Sequence, residues 1–586
     1  MRILGIHDGH NSSACLFEDG VIRLVLQEER LSRVKNYAGF PEMAISEIFA
    51  HLGLTIEDID RFAVVGHEMP DQNTKESRLE LYRRMGQPGY NPDNQHATVL
   101  KTPGAFVTTA ARKIKRAFEG YQSAQSNGRL SRHLDYGIPA SKMSIIDHHT
   151  AHAAAAYHGL GVYDRDILVL TNDGEGDGCC ATVNIGIAGK LKHIASVHRS
   201  HSIGNLYSVV TFLMGMVPLE HEYKLMGMAP YADEGRAEAV AQKFRSLYKT
   251  GPDNPYGWAK IDAWPDPLHS YSYIRDLLEL DRFDSICAGL QKFTEEYILR
   301  WVKSCISATG IRRLAVSGGV FMNVKINKSI MELPEVESLF VFPSCSDESN
   351  AIGVCYEVAA RHDLSKLTPL KDIYFGLGYS NEQVKAAIDK FHFNQPVKWE
   401  MYDDIECEVA RLLAEGQIVA RFKGREEFGA RALGNRSILA DPSNTKVIKV
   451  INSMIKCRDF WMPFATSMTD RQAAACLNNP KGMSAPYMIM TFNTTNLVND
   501  FIAGVHPYDL TVRPQVVYRD WNPAYYRLIE LWEEQSGKRG GLLNTSFNLH
   551  GHPLVSSPID ALDVFNRSGL QYLAIENYLL AKVDDC

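Results

Sequence analysis

Ile167-Leu168-Val169-Leu170-Thr171-Asn172-Asp173-Gly174-Glu175-Gly176-Asp177-Gly178 opens apolar and ends with glycine alternating with acid. An apolar run closed by Gly-rich turn signals reads as a buried strand that delivers Asp173 to its end. A hairpin follows: a strand over Ala181–Ile187, the turn Ala188-Gly189-Lys190, and a strand over Leu191–Val197. The N-terminus carries the same plan. Arg2–Ile6 reads as a strand, His7-Asp8-Gly9-His10-Asn11-Ser12-Ser13 as a turn, and Ala14–Phe17 and Val21–Leu26 as a hairpin about Glu18-Asp19-Gly20. Each opening strand ends in Asp-Gly, and each is followed by a hairpin. Two similar halves facing each other predict a cleft between them, where open α/β sheets bind ligands. A third strand and glycine turn, Leu314–Asn323, precedes Val336–Cys355, a strand running into a helix that contains Asp347.

At roughly 100–200 residues per domain, 586 residues make two to four domains. With 45% hydrophobic and 22% charged residues there is apolar material for several cores, which excludes a disordered or collagen-like chain. The net charge of −7 provides no general field for nucleic acid or an anionic membrane, so a polyanion needs a local pocket. Eleven cysteines without a C-x-x-C pair argue against a disulfide framework and for a reducing cytoplasm. No stretch reaches the ~18 apolar residues of a membrane span. Polar sequence over about 68–135, with the basic stretch Arg112–Arg116, reads as an insertion whose charges form a solvated helix face. Ser365-Lys366-Leu367-Thr368-Pro369 reads as a linker, so the units are 1–368 and a further α/β domain over 369–586.

Asp147-His148-His149-Thr150-Ala151-His152 leads into an alanine run and predicts a helix with His148 and His152 at i and i+4 on one face. Two imidazoles so spaced can share a metal; Asp173 and Asp347, at predicted strand ends, are the candidates to complete a His2Asp2 or His2Asp set suited by ligand type to Fe(II), Zn or Mn. The alternative is a pair of capping or core histidines with turn aspartates. His10 is a candidate general base if it faces the cleft, or else a turn histidine. Ser317-Gly318-Gly319 with Asn323 is a candidate phosphate turn, or a plain strand-to-helix connection. In Gly424–Ser437, arginines stand among glycines, where guanidinium forks can grip phosphate oxygens; Lys456, Arg458 and Arg513 follow.

Taken together, GHNSSACLFEDG with QEERLSRVKN, DHHTAHAAAA, LTNDGEGDG, SIGNLYSVVTFLMG, HEYKLMGMAPY, AVSGGVFMN, FPSCSDESNAIG, GREEFGARALGNRSILADP, KCRDFWMPFA and NTSFNLHGHPLV resemble the NodU/CmcH/TobZ family of O-carbamoyltransferases over essentially the whole chain. The resemblance implies an N-terminal duplicated domain of the actin-like ATPase (Kae1-like) kind and a C-terminal YrdC-like α/β domain. It implies that carbamoyl phosphate and ATP, with Mg, form carbamoyladenylate in the second domain. The carbamoyl group then passes to a hydroxyl of a small natural product or glycan in the first. His148, His152, Asp173 and Asp347 match the family's iron-type metal site, and His10 its acceptor-activating histidine. Lys224 and the Ser317-Gly318-Gly319 turn match cleft motifs around the nucleotide, with Asn323 beside them. Arg431, Arg436, Lys456, Arg458, Arg513, Asn544 and Asn548 match the YrdC-like pocket. A homodimer is compatible with the resemblance; nucleic acid and membrane are not expected as partners.

The sequence departs from the family pattern at the donor pocket. Met462 and His550 stand where K-x-R-E-x-F-R-P-F-A-P and N-T-S-F-N-x-R-G-E-P carry arginine, Asp459 and His552 stand for glutamates, and Ala430 stands for proline. A Met cannot bond an oxyanion and a His is charged part of the time. Another donor, an amine acceptor, or a nucleotide-driven binding protein without transfer therefore stand as alternatives.

Overall fold

Strands β1 (Arg2–His7), β2 (Ser13–Glu18), β3 (Val21–Gln27), β4 (Arg61–Val65) and β5 (Met143–Ile146) form one sheet in the order β3-β2-β1-β4-β5. The structure is a computed structural model that describes residues 1–68, 75–85, 87, 129–249, 254–456 and 458–583; the basic stretch Arg112–Arg116 lies outside them. Strands β6 (Ile167–Gly176), β7 (Cys179–Ile187), β8 (Lys190–His198), β9 (Arg313–Ser317) and β10 (Ser338–Val341) form a second sheet in the order β10-β9-β6-β7-β8. The pairing is the same in both: a β1-β2-β3 or β6-β7-β8 antiparallel meander, then β4 and β5, or β9 and β10, added in parallel. Even the hairpin turns agree, each with two left-handed residues in succession: Asp19 and Gly20 (φ 49° and 89°), Ala188 and Gly189 (φ 47° and 81°). This is the duplicated actin-like α/β plan.

Helix His148–Leu160 follows the first sheet and Asn350–Asp363 the second. They exchange places: the first packs on β6 and β9, the second on β1, β2 and β4, and each packs on the other. The alanine run is what lets them approach. Ala151 and Ala153–Ala156 are buried, and a Cβ on Gly353 would lie 2.0 Å from the Ala151 carbonyl oxygen. Burial on every side thus places His148 and His152 between the two halves.

The remaining strands are β11 (Val397–Met401), β12 (Val419–Phe422), β13 (Arg436–Ala440), β14 (Ala465–Thr469), the short pair β15 (Leu477–Asn478) and β16 (Asn493–Thr494), β17 (Pro514–Val517), β18 (Leu542–Ser546), β19 (Tyr572–Ile575) and β20 (Tyr578–Lys582). All but the short pair form a mixed eight-stranded sheet, β11-β20-β19-β12-β13-β18-β14-β17. Alternate residues supply two cores, as a period of two requires. Val419, Leu439 and Leu542 meet helices Ile405–Ala414 and Pro523–Ser536 on one face; Ala420, Ile438 and Leu543 meet Pro558–Arg567 on the other.

The segment after Asp363 is stitched to both units rather than hanging between them. Thr368 N–H donates to Gly20 O, Leu370 N–H to Gly159 O, Gly376 N–H to Glu426 O and Phe428 N–H to Ile373 O. Arg30 is buried in an ion pair with Glu426, and His506 Nε2–H donates to Gly227 O at 2.8 Å. The hydrophobic core itself runs across: Phe428, Leu433 and Met488 belong to the same cluster as Leu170 and Val316. Among the described residues no helix is long and apolar enough to cross a membrane, and the nine described cysteines are free.

Candidate active site

At the end of β6 the backbone delivers Asp173 to the start of helix His148–Leu160. His148 Nε2 lies 3.2 Å from Asp173 Oδ2 and 3.5 Å from Asp347 Oδ1; His152 Nε2 lies 3.8 and 3.4 Å from the same two oxygens. One ligand atom from each of the four residues falls within 4.8 Å of the other three. The supports are specific. Asp147 caps the helix through Thr150 N–H, and Asp177 accepts His148 N–H at 2.8 Å. Gly319 N–H donates to Asp173 Oδ1 at 2.9 Å, leaving Oδ2 for the histidines. His152 Nδ1–H donates to Ser317 Oγ at 3.2 Å, while Asn350 Nδ2–H donates to Nε2. That tautomer presents the Nε2 lone pair to the two carboxylates, as a metal ligand requires. The middle histidine, His149, turns away to Thr171 Oγ1 and Cys179 O.

The electrostatics of these four groups ask for a cation. Burial opposes ionisation of Asp173, yet the adjacent imidazoles of His148 and His152 hold it well below the usual carboxylate range. Burial and the adjacent Asp173 push Asp347 well above it. Burial disfavours the His148 cation, but Asp347 and Asp173 outweigh it and raise its pKa. Asp347 Oδ1 is buried without a hydrogen-bond partner. Two crowded carboxylates, one with an orphaned oxygen, and two imidazoles fit a divalent cation of mixed nitrogen and oxygen preference.

Across the cleft, the β1 end carries His7, Asp8 and His10. His7 Nε2–H donates to His10 O at 2.9 Å and stands 4.0 Å from Asp347 Oδ2. Burial, then the neighbouring His148, lowers the His7 pKa to about 4. Asp8 receives Arg129 in a bidentate pair at 2.6 and 2.7 Å, and the same guanidinium donates to Gly66 O and Val65 O. His7 and the Asp8–Arg129 pair were missed in sequence; the signal for His7 was the doubled histidine of HDGH.

The other cluster lies in the C-terminal unit. Arg431, Arg458 and Arg513 are half-buried and line a cavity together with the buried Lys456, which ends a π-helical turn, Asn452–Lys456. Among the described residues none of the four has a carboxylate partner, and the Nε atoms of Arg431 and Arg513 are buried without any partner. Burial and the like charges of Arg431 and Arg458 push Arg513 well down; burial and Arg458 do the same to Lys456. Asn548 Oδ1 accepts from Lys456 Nζ at 2.7 Å. Unpaired guanidiniums in low dielectric are receptors for oxyanions.

One cavity of about 770 Å³ is lined by both clusters: His10, His148, Asp173 and Asp347 on one side, Arg431, Lys456, Arg458, Arg513 and Asn548 on the other. Chain comparisons agree with a transferase of this build. A family described as Carbamoyltransferase N-terminus matches residues 2–356, and Carbamoyltransferase C-terminus matches residues 410–582.

The chain belongs to the carbamoyltransferase family.

Its similarities extend along nearly its full length. Protein sll1178 of Synechocystis sp. is 28% identical over 99% of this chain and 97% of that protein. Nodulation protein NolNO of Sinorhizobium fredii is 28% identical over 98% and 79%. Methanocaldococcus jannaschii MJ1058 is 30% identical over 75% and 74%.

Not every residue read from sequence faces this carbamoyltransferase's cavity. Arg436, the first residue of β13, stacks at 3.6 Å on Phe422, its cross-strand partner, and donates to Lys423 O, Asn435 O and Leu377 O. It is not among the residues that line the cavity, because a strand residue's direction is set by the pleat. Asn544 on β18 donates to Ala432 O and Ser467 Oγ, bracing the loop that carries Arg431. Ser317 Oγ bonds His152 and Gly318 N–H donates to Cys345 O, and neither residue lines the cavity; Gly319 and Asn323 line it, and Asn323 also caps helix Val324–Glu332. Lys224 lines it too, with Nζ 3.0 Å from Asp459 Oδ2 of the C-terminal unit.

Proposed function

We propose that this carbamoyltransferase is ATP-dependent and works in two stages in the one cavity. Arg431, Arg458, Arg513 and Lys456 bind the phosphate oxygens of carbamoyl phosphate and ATP. Water cleaves the acyl phosphate, so that inorganic phosphate leaves and carbamate remains; a carbamate oxygen then attacks the α-phosphorus, the bond to the β-phosphate oxygen breaks and pyrophosphate departs, giving carbamoyladenylate. The acceptor hydroxyl oxygen then bonds to the carbamoyl carbon, AMP leaves with the electron pair of the broken bond, and the hydroxyl proton goes to the imidazole of His10. A divalent cation held by His148, His152, Asp173 and Asp347, Fe(II) by the family's pattern, would supply Lewis acidity at the carbonyl or phosphate oxygen. The nucleotide handle supplies remote binding energy that orients the small carbonyl group. The acceptor is a small natural product or glycan hydroxyl.

The observation that carries this reading is the shared cavity: an oxyanion receptor and a metal-ligand set open into one space, so a labile acyl adenylate need not leave the protein. The test is pyrophosphate release from ATP by purified protein with carbamoyl phosphate and without acceptor. Release that depends on carbamoyl phosphate is expected; none under any metal condition overturns the two-stage scheme. One observation favours a second reading, with another carbamoyl or acyl donor. Met462 lines the anion pocket without a charge, and burial and Lys224 lower the pKa of His550.

A further inference from the structure

The anion pocket is not built by the C-terminal unit alone. Residues 28–36 of the N-terminal unit run against the 550–554 loop. Arg33, at the left-handed end of the short helix Glu28–Ser32, donates from Nη1 to Leu554 O at 2.7 Å and from Nη2 to Pro553 O at 3.1 Å. Asn36 N–H donates to Glu29 Oε2 at 2.8 Å. Between these two anchors sits Lys35, half-buried and lining the same cavity as Lys456, His550 and His552. Its ammonium makes no hydrogen bond or ion pair among the described residues, whereas Lys224, the other N-terminal cation near His550, is already paired with Asp459. Burial first, then the charges of Lys224, Lys35 and Lys456, lower the pKa of His550, which places Lys35 within electrostatic reach of it. Lys35 likewise depresses Lys456, after burial and Arg458.

We propose that Lys35 is a phosphate-binding residue of this pocket, contributed across the domain interface to the side where Met462 and His550 supply no fixed positive charge. An unpaired ammonium, held on a backbone tied at both sides and directed into a cavity already holding four cations, would be repulsive and costly without an anion to share. A phosphate group resolves it. The proposal rests on the reading that the pocket takes phosphorylated substrates; the phosphate belongs either to the acyl phosphate or to the triphosphate. The composite pocket would also tie donor binding to the docking of the two units, since Arg33 and Lys35 travel together.

The test uses the full chain. Calorimetric titration with inorganic phosphate and with pyrophosphate is compared for wild type, Lys35→Gln and Lys35→Arg, alongside KM values for carbamoyl phosphate and for ATP in pyrophosphate release. Loss of one charge-assisted contact predicts affinity lower by about ten- to a hundredfold in Lys35→Gln, with most of it restored in Lys35→Arg. A rise confined to KM for carbamoyl phosphate identifies the acyl phosphate as the partner, and one confined to ATP identifies the triphosphate. The thermal midpoint of ligand-free Lys35→Gln is expected to stay at or above the wild-type value, since the side chain has no partner to lose and its repulsion with the other cations of the pocket is removed. Phosphate affinity and both KM values unchanged in Lys35→Gln, or no phosphate or pyrophosphate binding by wild type, overturns the proposal. If wild type releases no pyrophosphate, the two-stage scheme fails while the phosphate titration still decides Lys35.

Discussion

The first and second halves of the N-terminal unit share a sheet plan down to the hairpin turns, yet their equivalent strand ends are opposites. Asp8, after β1, is closed off by Arg129 in a buried bidentate pair. Asp173, near the end of β6, is left facing two imidazoles and a second carboxylate. The closed end holds the turn that carries His10; the open end is a candidate ligand set. One backbone plan therefore hosts two chemistries, and the difference lies in what reaches each aspartate from elsewhere in the chain: an arginine from the edge of the insertion in one half, a helix and Asp347 in the other.

Emptying the open end should have the largest effect. His148→Ala is expected to remove bound metal and abolish carbamoyl transfer while carbamoyl-phosphate-dependent pyrophosphate release persists; metal analysis and the two half-reactions, assayed apart, check this. Loss of pyrophosphate release with metal retained would refute the assignment of the two ends. Next, His10→Ala should slow transfer by about 10²- to 10⁴-fold, the usual range for a general base, with metal content unchanged. Opening the closed end comes third. Arg129→Met strands a buried carboxylate and should cost about 3–5 kcal/mol of folding stability in urea titration. Metal stays bound, and Asp8→Asn in the same background recovers part of the loss. Smallest, Ser317→Ala removes the acceptor of His152 Nδ1–H and should weaken metal affinity by about 10- to 100-fold, read by competition with a chelator.

Much of the candidate site was legible because it depends on short-range periodicity. The Asp-Gly strand ends, the two hairpins and the i, i+4 pair of histidines are local patterns, and each appears in the fold where the pattern puts it. The arginines show where such reading stops. Arg431 and Arg436 lie five positions apart in one Gly-bearing segment and look alike in sequence. Arg431 stays in the loop and lines the cavity, whereas Arg436 enters β13 and stacks on Phe422. Nothing local separates them, because the boundary of β13 is set by pairing with β12 and β18. Lys224 shows a related limit: its helix belongs to the N-terminal unit and it lines the cavity, but its ammonium pairs with Asp459 of the C-terminal unit.

From the order of residues alone came the duplicated α/β plan, the helix that carries His148 and His152, and the aspartates at strand ends, all consequences of backbone periods of 2 and 3.6 residues. Folding in three dimensions settled which of these meet. Asp347 comes within 3.5 Å of His148 because the two central helices exchange sheets across an alanine and glycine contact. Lys35 and Arg431 line one cavity because a continuous core fuses the two units. Convergence of groups hundreds of residues apart is a property of long-range packing, which no local period encodes.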